Sequence, residues 1–163
     1  MRSEQEAARA MERHADTVRR LCMIHLKNHA DTEDIFQTVF LKYVLSSTVF
    51  QSEEHERAWF IRVTLNACRD LLKSFFRSRT VPLETLEPVP ASLPPDHREV
   101  LEAVLALPEA CRDAVYLHYY EGYTAPEIGQ ILGLPTATVH TRLARGRAKL
   151  RELLGGYGYE QTV

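Results

Sequence analysis

The chain has 163 residues and a mass of 18.7 kDa, with 45% hydrophobic and 26% charged residues, which suits one ordinary globular domain or two small ones and excludes disorder throughout. No run approaches the roughly 18 apolar residues that cross a bilayer, the N-terminus is polar, and Cys22, Cys68 and Cys111 are odd in number and far apart. The expectation is a cytoplasmic protein without membrane insertion, disulfide framework, metal or cofactor, and its net charge of −2 counts against a nucleic-acid binder unless the average conceals segregated charge.

Glycine is absent before Gly122, and no proline stands between Glu4 and Phe76, so nothing there breaks a helix. Pro82, Pro88, Pro90, Pro94 and Pro95 then alternate with Glu84 and Glu87 in a stretch without helical period. Helical patterning resumes from His97 to Leu154. The predicted fold is all-α: a helical domain over 1–80, a flexible, acidic, proline-rich linker over 81–97, a helix-turn-helix domain over 98–155 and a short tail over 156–163.

The first predicted helix runs from about Glu6 to His29, with Val18, Leu21, Cys22 and His25 at helical spacing. Asp31 reads as the N-cap of the second, with Asp34 at its N3 position. Ile35, Phe36, Val39, Phe40, Tyr43 and Val44 give that helix a wide apolar face. Residues Ser46 to Glu54 form a polar break.

The third predicted helix, about Glu56 to Phe76, carries two stripes with one spacing. Ile61, Leu65, Cys68 and Leu72 form a core seam, and Arg62, Asn66, Arg69, Lys73 and Arg77 run beside it. Between Arg62 and Arg79 five basic residues stand against one acid, Asp70. A solvated face explains such a stripe as well as a nucleic-acid surface does, although a mixed-sign surface is more usual there. Trp59 suits core packing better than a base-stacking platform. His14, Cys22, His25 and His29 share helical spacing that zinc could use, but no second ligand cluster lies nearby.

In the second half, Val100, Leu101, Val104 and Leu105 give one helix an apolar face, and Pro108 with Glu109 opens another that runs to Tyr120 and ends at Gly122. Tyr116, Tyr119 and Tyr120 read as core packing rather than a nucleotide platform. A short helix from about Pro126 buries Ile128, Ile131 and Leu132, and Gly133 stops it. The last helix, Thr136 to Leu153, points Val139, Leu143, Leu150 and Leu153 inward, and Thr138, Thr141, Arg142, Arg145 and Lys149 outward. Helix, short turn and helix make a helix-turn-helix signature. Small polar residues at the start of its second helix suit base edges in a major groove, and the arginines behind them suit phosphates or guanine.

In this order and spacing the two halves resemble bacterial sigma factors of the extracytoplasmic-function group, the smallest members of the sigma-70 family. DTEDIFQTVFLKYV (Asp31 to Val44) is similar to region 2.2, and RAWFIRVTLNACRDLLKS (Arg57 to Ser74) to regions 2.3 and 2.4. The segment from Leu107 to Leu153 is similar to region 4. The resemblance implies a non-catalytic factor that directs core RNA polymerase to promoters. Asp34, Gln37, Phe40 and Lys42 would face the β′ clamp helices. Arg62, Asn66, Arg69 and Lys73 would melt and read the −10 element, with the loop Ser46 to Glu54 bordering a pocket for a flipped base. Thr136, Thr138, His140, Thr141, Arg142, Arg145 and Lys149 would read the −35 duplex. Promoter DNA, the β′ clamp helices and β flap of polymerase, and an anti-sigma factor are the implied partners. The sequence departs from the family at Thr38, after Gln37, where an acid is common, and in the few arginines that close region 2.4. The alternatives are a stand-alone dimeric helix-turn-helix regulator, whose N-terminal half would sense or dimerise, and a metal sensor built on His14, Cys22, His25 and His29. An enzyme lacks support: no P-loop, G-x-S-x-G or H-E-x-x-H motif is present.

Overall fold

The computed structural model describes residues 1–78, 100 and 102–154, and the chain divides into two compact units at Pro88 and Val89. The predicted linker and tail lie outside the described residues, as do Arg79 and Leu101. Every described element is helical.

The first unit is built from α1 (Glu4–Leu26), α2 (His29–Leu45) and α3 (Glu53–Ser78), each packed on the other two. α1 begins two residues before its expected start, because Ser3 and Glu6 form a reciprocal capping box. It ends three residues early, at Leu26, because Lys27 adopts a left-handed conformation (φ 58°) and turns the chain. The N-cap of α2 is therefore Asn28 rather than Asp31. The buried Asn28 side chain accepts from the Asp31 amide at 2.8 Å, and its own amide group donates to the Asp31 carboxylate at 2.7 Å.

Ile35, Phe36, Val39, Phe40 and Tyr43 of α2 are buried as the apolar face requires, and Val44 is half-buried. On α3, Ile61, Leu65 and Cys68 are buried and Leu72 lies at the core's edge. Phe60, absent from the predicted seam, is its centre. Wholly buried, it stacks on His14 of α1 (4.7 Å between ring centres) and meets Phe40 and Tyr43 of α2 at 5.0 Å each. The hydroxyls of the buried Thr32 and Thr64 donate to the carbonyls four residues back, so neither carries an unmet donor into the core.

In the second unit, residues 102–105 are helical, and α4 (Glu109–Val115) continues without a break into a π-helical turn, Tyr116–Tyr120. The wider turn changes the angular phase, so the three tyrosines do not share one fate as expected. Tyr116 is buried, its hydroxyl donating to Glu121 at 2.7 Å, whereas Tyr119 and Tyr120 lie on the surface, 46% and 62% exposed. α5 (Ala125–Leu132) starts on a Thr124–Glu127 capping box and ends at Gly133, whose φ of 70° suits glycine. It buries Ile128 and Ile131, and Leu132 is half-buried. α6 spans Thr136–Leu154. It buries Val139, Leu143 and Leu150 as expected, but Leu154, four residues after Leu150, completes the seam in place of Leu153, which is exposed rather than inward.

Two glycines inside helices set the tight approaches of this unit. A Cβ on Gly129 would stand 2.6 Å from the Leu134 carbonyl oxygen, and a Cβ on Gly146 would overlap Val115 Cγ2. The first closes the turn between α5 and α6, with the Leu134 amide donating back to Gly129 O at 2.8 Å. The second lets α6 lie against α4.

Gly146→Ala should destabilise the second unit by about 1–3 kcal/mol through overpacking, less the ~1 kcal/mol that alanine gains in helix propensity. In a double-mutant cycle measured by denaturant unfolding, Val115→Ala should offset the overpacking; additive losses would show that the two positions do not meet. A second prediction concerns the Thr124–Glu127 box. Its hydrogen bonds, first from the Thr124 amide and then from its hydroxyl, hold the Glu127 carboxyl below the ordinary 4.5. A lowered folded value means that the carboxylate's contribution is full above pH 4.5 and is lost as pH falls through the lowered value. The stability gap between wild type and Glu127→Gln should therefore shrink on acidification below that range; a constant gap would contradict the cap's ionic character.

Candidate nucleic-acid interface

The core fixes which way α3 faces. With Phe60, Ile61, Thr64, Leu65, Ala67 and Cys68 buried, the opposite side carries Arg62, Asn66, Arg69 and Lys73, all exposed and all on one stripe. The same four-and-three spacing extends the stripe back to Trp59 and His55, which the basic pattern alone does not mark. Trp59 is half-buried. Its ring meets Phe60 and Phe50 nearly edge-on, at 5.1 and 5.8 Å. The face thus runs from an aromatic head into a basic stem, the combination on which single-stranded bases stack while phosphates are neutralised.

At that head lies the connection between α2 and α3. Ser46 Oγ accepts from the Thr48 amide at 3.1 Å, the Gln51 amide donates to His55 Nδ1 at 3.1 Å, and the His55 amide donates to Ser52 Oγ at 3.1 Å. Phe50 packs on Tyr43, His55 and Trp59. Ser46, Ser47, Thr48, Val49 and Phe50 wall a surface recess of about 500 Å³, to which α1 contributes Glu6, Arg9 and Arg13 and α3 contributes Glu56. Glu56 Oε1 also lies 2.9 Å from His14 Nε2; burial pushes the His14 imidazole below its usual value, and the Glu56 carboxylate opposes that shift.

The residues weighed as zinc ligands do not converge. His14 pairs with Glu56, Cys22 lies 4.0 Å from Cys68 across α1 and α3, and His29 is exposed on α2. Among the described residues no group of three or more potential ligands is gathered.

On α2 the expected contact residues separate. Asp34, Gln37 and Lys42 are exposed, but Phe40 is 6% exposed and packs on Phe36 and Phe60, so it supports this face from inside and does not present itself on it. The large apolar groups that do stand out are Leu41 and Leu45, 59% and 63% exposed. Their spacing from Gln37 by fours, off the Ile35 and Val39 seam, is a signal readable in the sequence.

In the second unit the burial of Val139 and Leu143 turns Thr136, His140, Thr141 and Arg145 outward, with Thr138 and Arg142 half-buried beside them. Thr141 Oγ1 donates to Ala137 O at 3.1 Å, leaving its lone pairs as acceptors. The basic residues behind differ in their engagements: Arg147 donates to Tyr119 Oη at 3.2 Å, and Lys149 lies 3.6 Å from Glu152. Small side chains at the start of α6 and cations along its next turns form a helix that can enter a major groove and hold the flanking phosphates.

Comparison with known proteins extends these observations. Residues 10–79 match the family profile described as Sigma-70 region 2, and residues 97–150 that described as Sigma-70, region 4. The chain is 32% identical over 149 residues to the RNA polymerase sigma factor CarQ of Myxococcus xanthus, covering 88% of this chain and 86% of that protein. It is 30% identical over 145 residues to the ECF RNA polymerase sigma factor SigM of Mycobacterium tuberculosis, covering 88% and 74%. Among solved structures, the sigma factor RpoE bound to the anti-sigma factor NepR from Bartonella quintana shares the fold with a TM-score of 0.74 at 20% identity, over 93% of this chain and 98% of that one. CnrH, solved with the cytosolic domain of CnrY, has a TM-score of 0.66 at 24% identity, over 96% and 92%.

Proposed function

The chain belongs to the extracytoplasmic-function group of the sigma-70 family, non-catalytic subunits of RNA polymerase whose regions 2 and 4 recognise promoter elements, and from that premise we propose how its surfaces divide the work. The stripe on α3 receives the unpaired strand of the −10 element. Arg62, Arg69 and Lys73 hold its backbone, Asn66 offers a base-edge donor and acceptor, and the recess beside the α2–α3 connection accepts a base swung out of the stack. The start of α6 reads the −35 element as duplex. Thr136, Thr138, His140 and Thr141 lie towards base edges, and Arg142, Arg145 and Lys149 follow towards phosphate or guanine.

One observation carries this assignment: α3 sorts two stripes of equal spacing into a buried seam and an exposed basic face, with aromatic rings at one end. A helix that needed only solubility would not require acids to be so scarce on that face. The region 2 match also gives the N-terminal half a role other than sensing or dimerisation, which removes the basis for a stand-alone regulator.

Core RNA polymerase is the partner that sigma factors bind. The exposed part of α2, with Asp34, Gln37 and Lys42 and the apolar Leu41 and Leu45, is the proposed surface for the β′ clamp helices, and the second unit the surface for the β flap. An anti-sigma protein is a further proposed partner, supported by the complex in which the Bartonella relative was solved.

Two sets of substitutions separate the proposed roles. Holoenzyme carrying Arg62→Ala, Asn66→Ala and Lys73→Ala should still bind core polymerase and promoter, yet permanganate should detect about tenfold fewer unpaired thymines, as expected when base stacking and strand binding weaken by a little over ~1 kcal/mol. Holoenzyme carrying Arg142→Ala and Arg145→Ala should bind promoter duplex more weakly, with a log–log salt slope smaller by about one for each phosphate that is no longer neutralised. Identical defects in the two sets, or none in either, would contradict the division.

A further inference from the structure

One residue outside both DNA-facing helices gathers the α2–α3 connection. The Arg2 amide donates to Val44 O at 2.9 Å, its Nε donates to Tyr43 O at 3.0 Å, and its Nη2 donates to Thr48 O. The same guanidinium lies over the Tyr43 ring, 4.5 Å from its centre, and 5.1 Å from the centre of Phe50. Arg2 therefore pairs the Val44 carbonyl at the C-terminal end of α2, adds a second donor to the Tyr43 carbonyl, which also accepts the Ser46 amide at 3.2 Å, and clasps two rings that themselves stack with planes 13° apart. Phe50 in turn abuts His55 and Trp59, the aromatic head of the α3 stripe. Arg2 reaches each of these partners across more than forty residues of chain.

We propose that Arg2 is a positioning residue for promoter reading: by tying Tyr43, Thr48 and Phe50 together it sets the shape of the recess that selects the swung-out base. The inference rests on the reading of that recess as the base site. Arg2 lies in the recess wall but acts through the loop, and its planar fork does what a flexible ammonium does not. Two side-chain donors and a stacking face are used at once, so a lysine retains the charge without the geometry. A loop released from this clasp keeps Thr48 bonded to Ser46 and Phe50 against Tyr43, His55 and Trp59, but loses the donor to Thr48 O and the cation that lies over both the Tyr43 and Phe50 rings.

The test uses holoenzyme made with the full chain and a promoter mapped for it, in versions that differ at one base of the −10 element. Arg2→Ala, Arg2→Lys and Phe50→Ala are compared with wild type for open-complex formation, and hydrogen exchange is followed at the amides of 46–52. Arg2→Ala should bind core polymerase normally and keep its helical content, but lose amide protection in the loop and about tenfold of its discrimination between the preferred base and its replacements, the scale expected when a binding group is misplaced rather than removed. Acrylamide should also quench Trp59, the chain's single tryptophan, more strongly. Arg2→Lys should show the same loss. If Arg2→Lys restores discrimination, Arg2 acts as a charge towards DNA and the proposal is overturned. If Phe50→Ala loses discrimination while Arg2→Ala retains it, the recess reading stands and the role of Arg2 falls. Unchanged discrimination in both variants would overturn the recess reading and the proposal with it.

Discussion

The burial of Phe60 at the meeting of three helices is the constraint on which the first unit depends. Its ring lies against His14 of α1 and against Phe40 and Tyr43 of α2, so α3 has one rotational setting in which the aromatic cluster closes. Burying a phenylalanine contributes about 1.5–3 kcal/mol from area alone, and well-packed aromatic pairs add to that. Turning α3 by one residue would forfeit this packing and swing Arg62, Asn66, Arg69 and Lys73 towards the core, where unpaired charge is not tolerated. The same packing that stabilises the domain therefore aims its basic face, and Trp59, which packs on Phe60 and heads the α3 stripe, joins the core to the proposed DNA surface.

The second unit reaches the same end through absence of side chains. Gly129 admits the Leu134 carbonyl and Gly146 admits Val115, and these two approaches fix the turn between α5 and α6 and the bearing of α6 on α4. Helix interiors resist glycine by about 1 kcal/mol relative to alanine, so its presence twice marks places where backbone proximity outweighs propensity. Val139 and Leu143, buried by this arrangement, leave Thr136, His140 and Arg145 facing outward. The π-helical turn at Tyr116–Tyr120 adds a further surface element, bringing Tyr119 outward to accept from Arg147. Arg147 is thereby engaged with its own domain.

Much of this is legible in the sequence because it is periodic. The two stripes of α3, the outward residues of α6 and the glycine that stops α5 follow from spacing and from the missing prolines, and the family resemblance rests on the same segments. What escapes is local or tertiary. The turn after α1 depends on Lys27 in a left-handed conformation, which no glycine or proline announces, so the pattern points to Asp31 as the cap of α2 where the structure uses Asn28. The Ser3–Glu6 box is visible as S-x-x-E but precedes the apolar run by several residues. Phe40 sits within an apolar face so wide that spacing does not sort its inner from its outer members, and the surface falls instead to Leu41 and Leu45. Arg2 belongs to no pattern at all; its side chain bonds to residues 41 and 46 positions away.

Segregation also resolves the near-neutral charge. Five basic residues between Arg62 and Arg79 and five between Ile128 and Arg151 are offset elsewhere, including by six acids against two basic residues between Val81 and Arg112. Long-range attraction to DNA is correspondingly weak, which suits a protein that reaches promoters through the enzyme it joins. Run-off transcription from genomic DNA with core polymerase, with and without this protein, tests that account most directly. Start sites that appear only when the protein is added, preceded at constant spacing by shared −35 and −10 sequences, are the predicted result. An unchanged set of transcripts, together with tight binding of the isolated protein to a palindromic duplex, would contradict it.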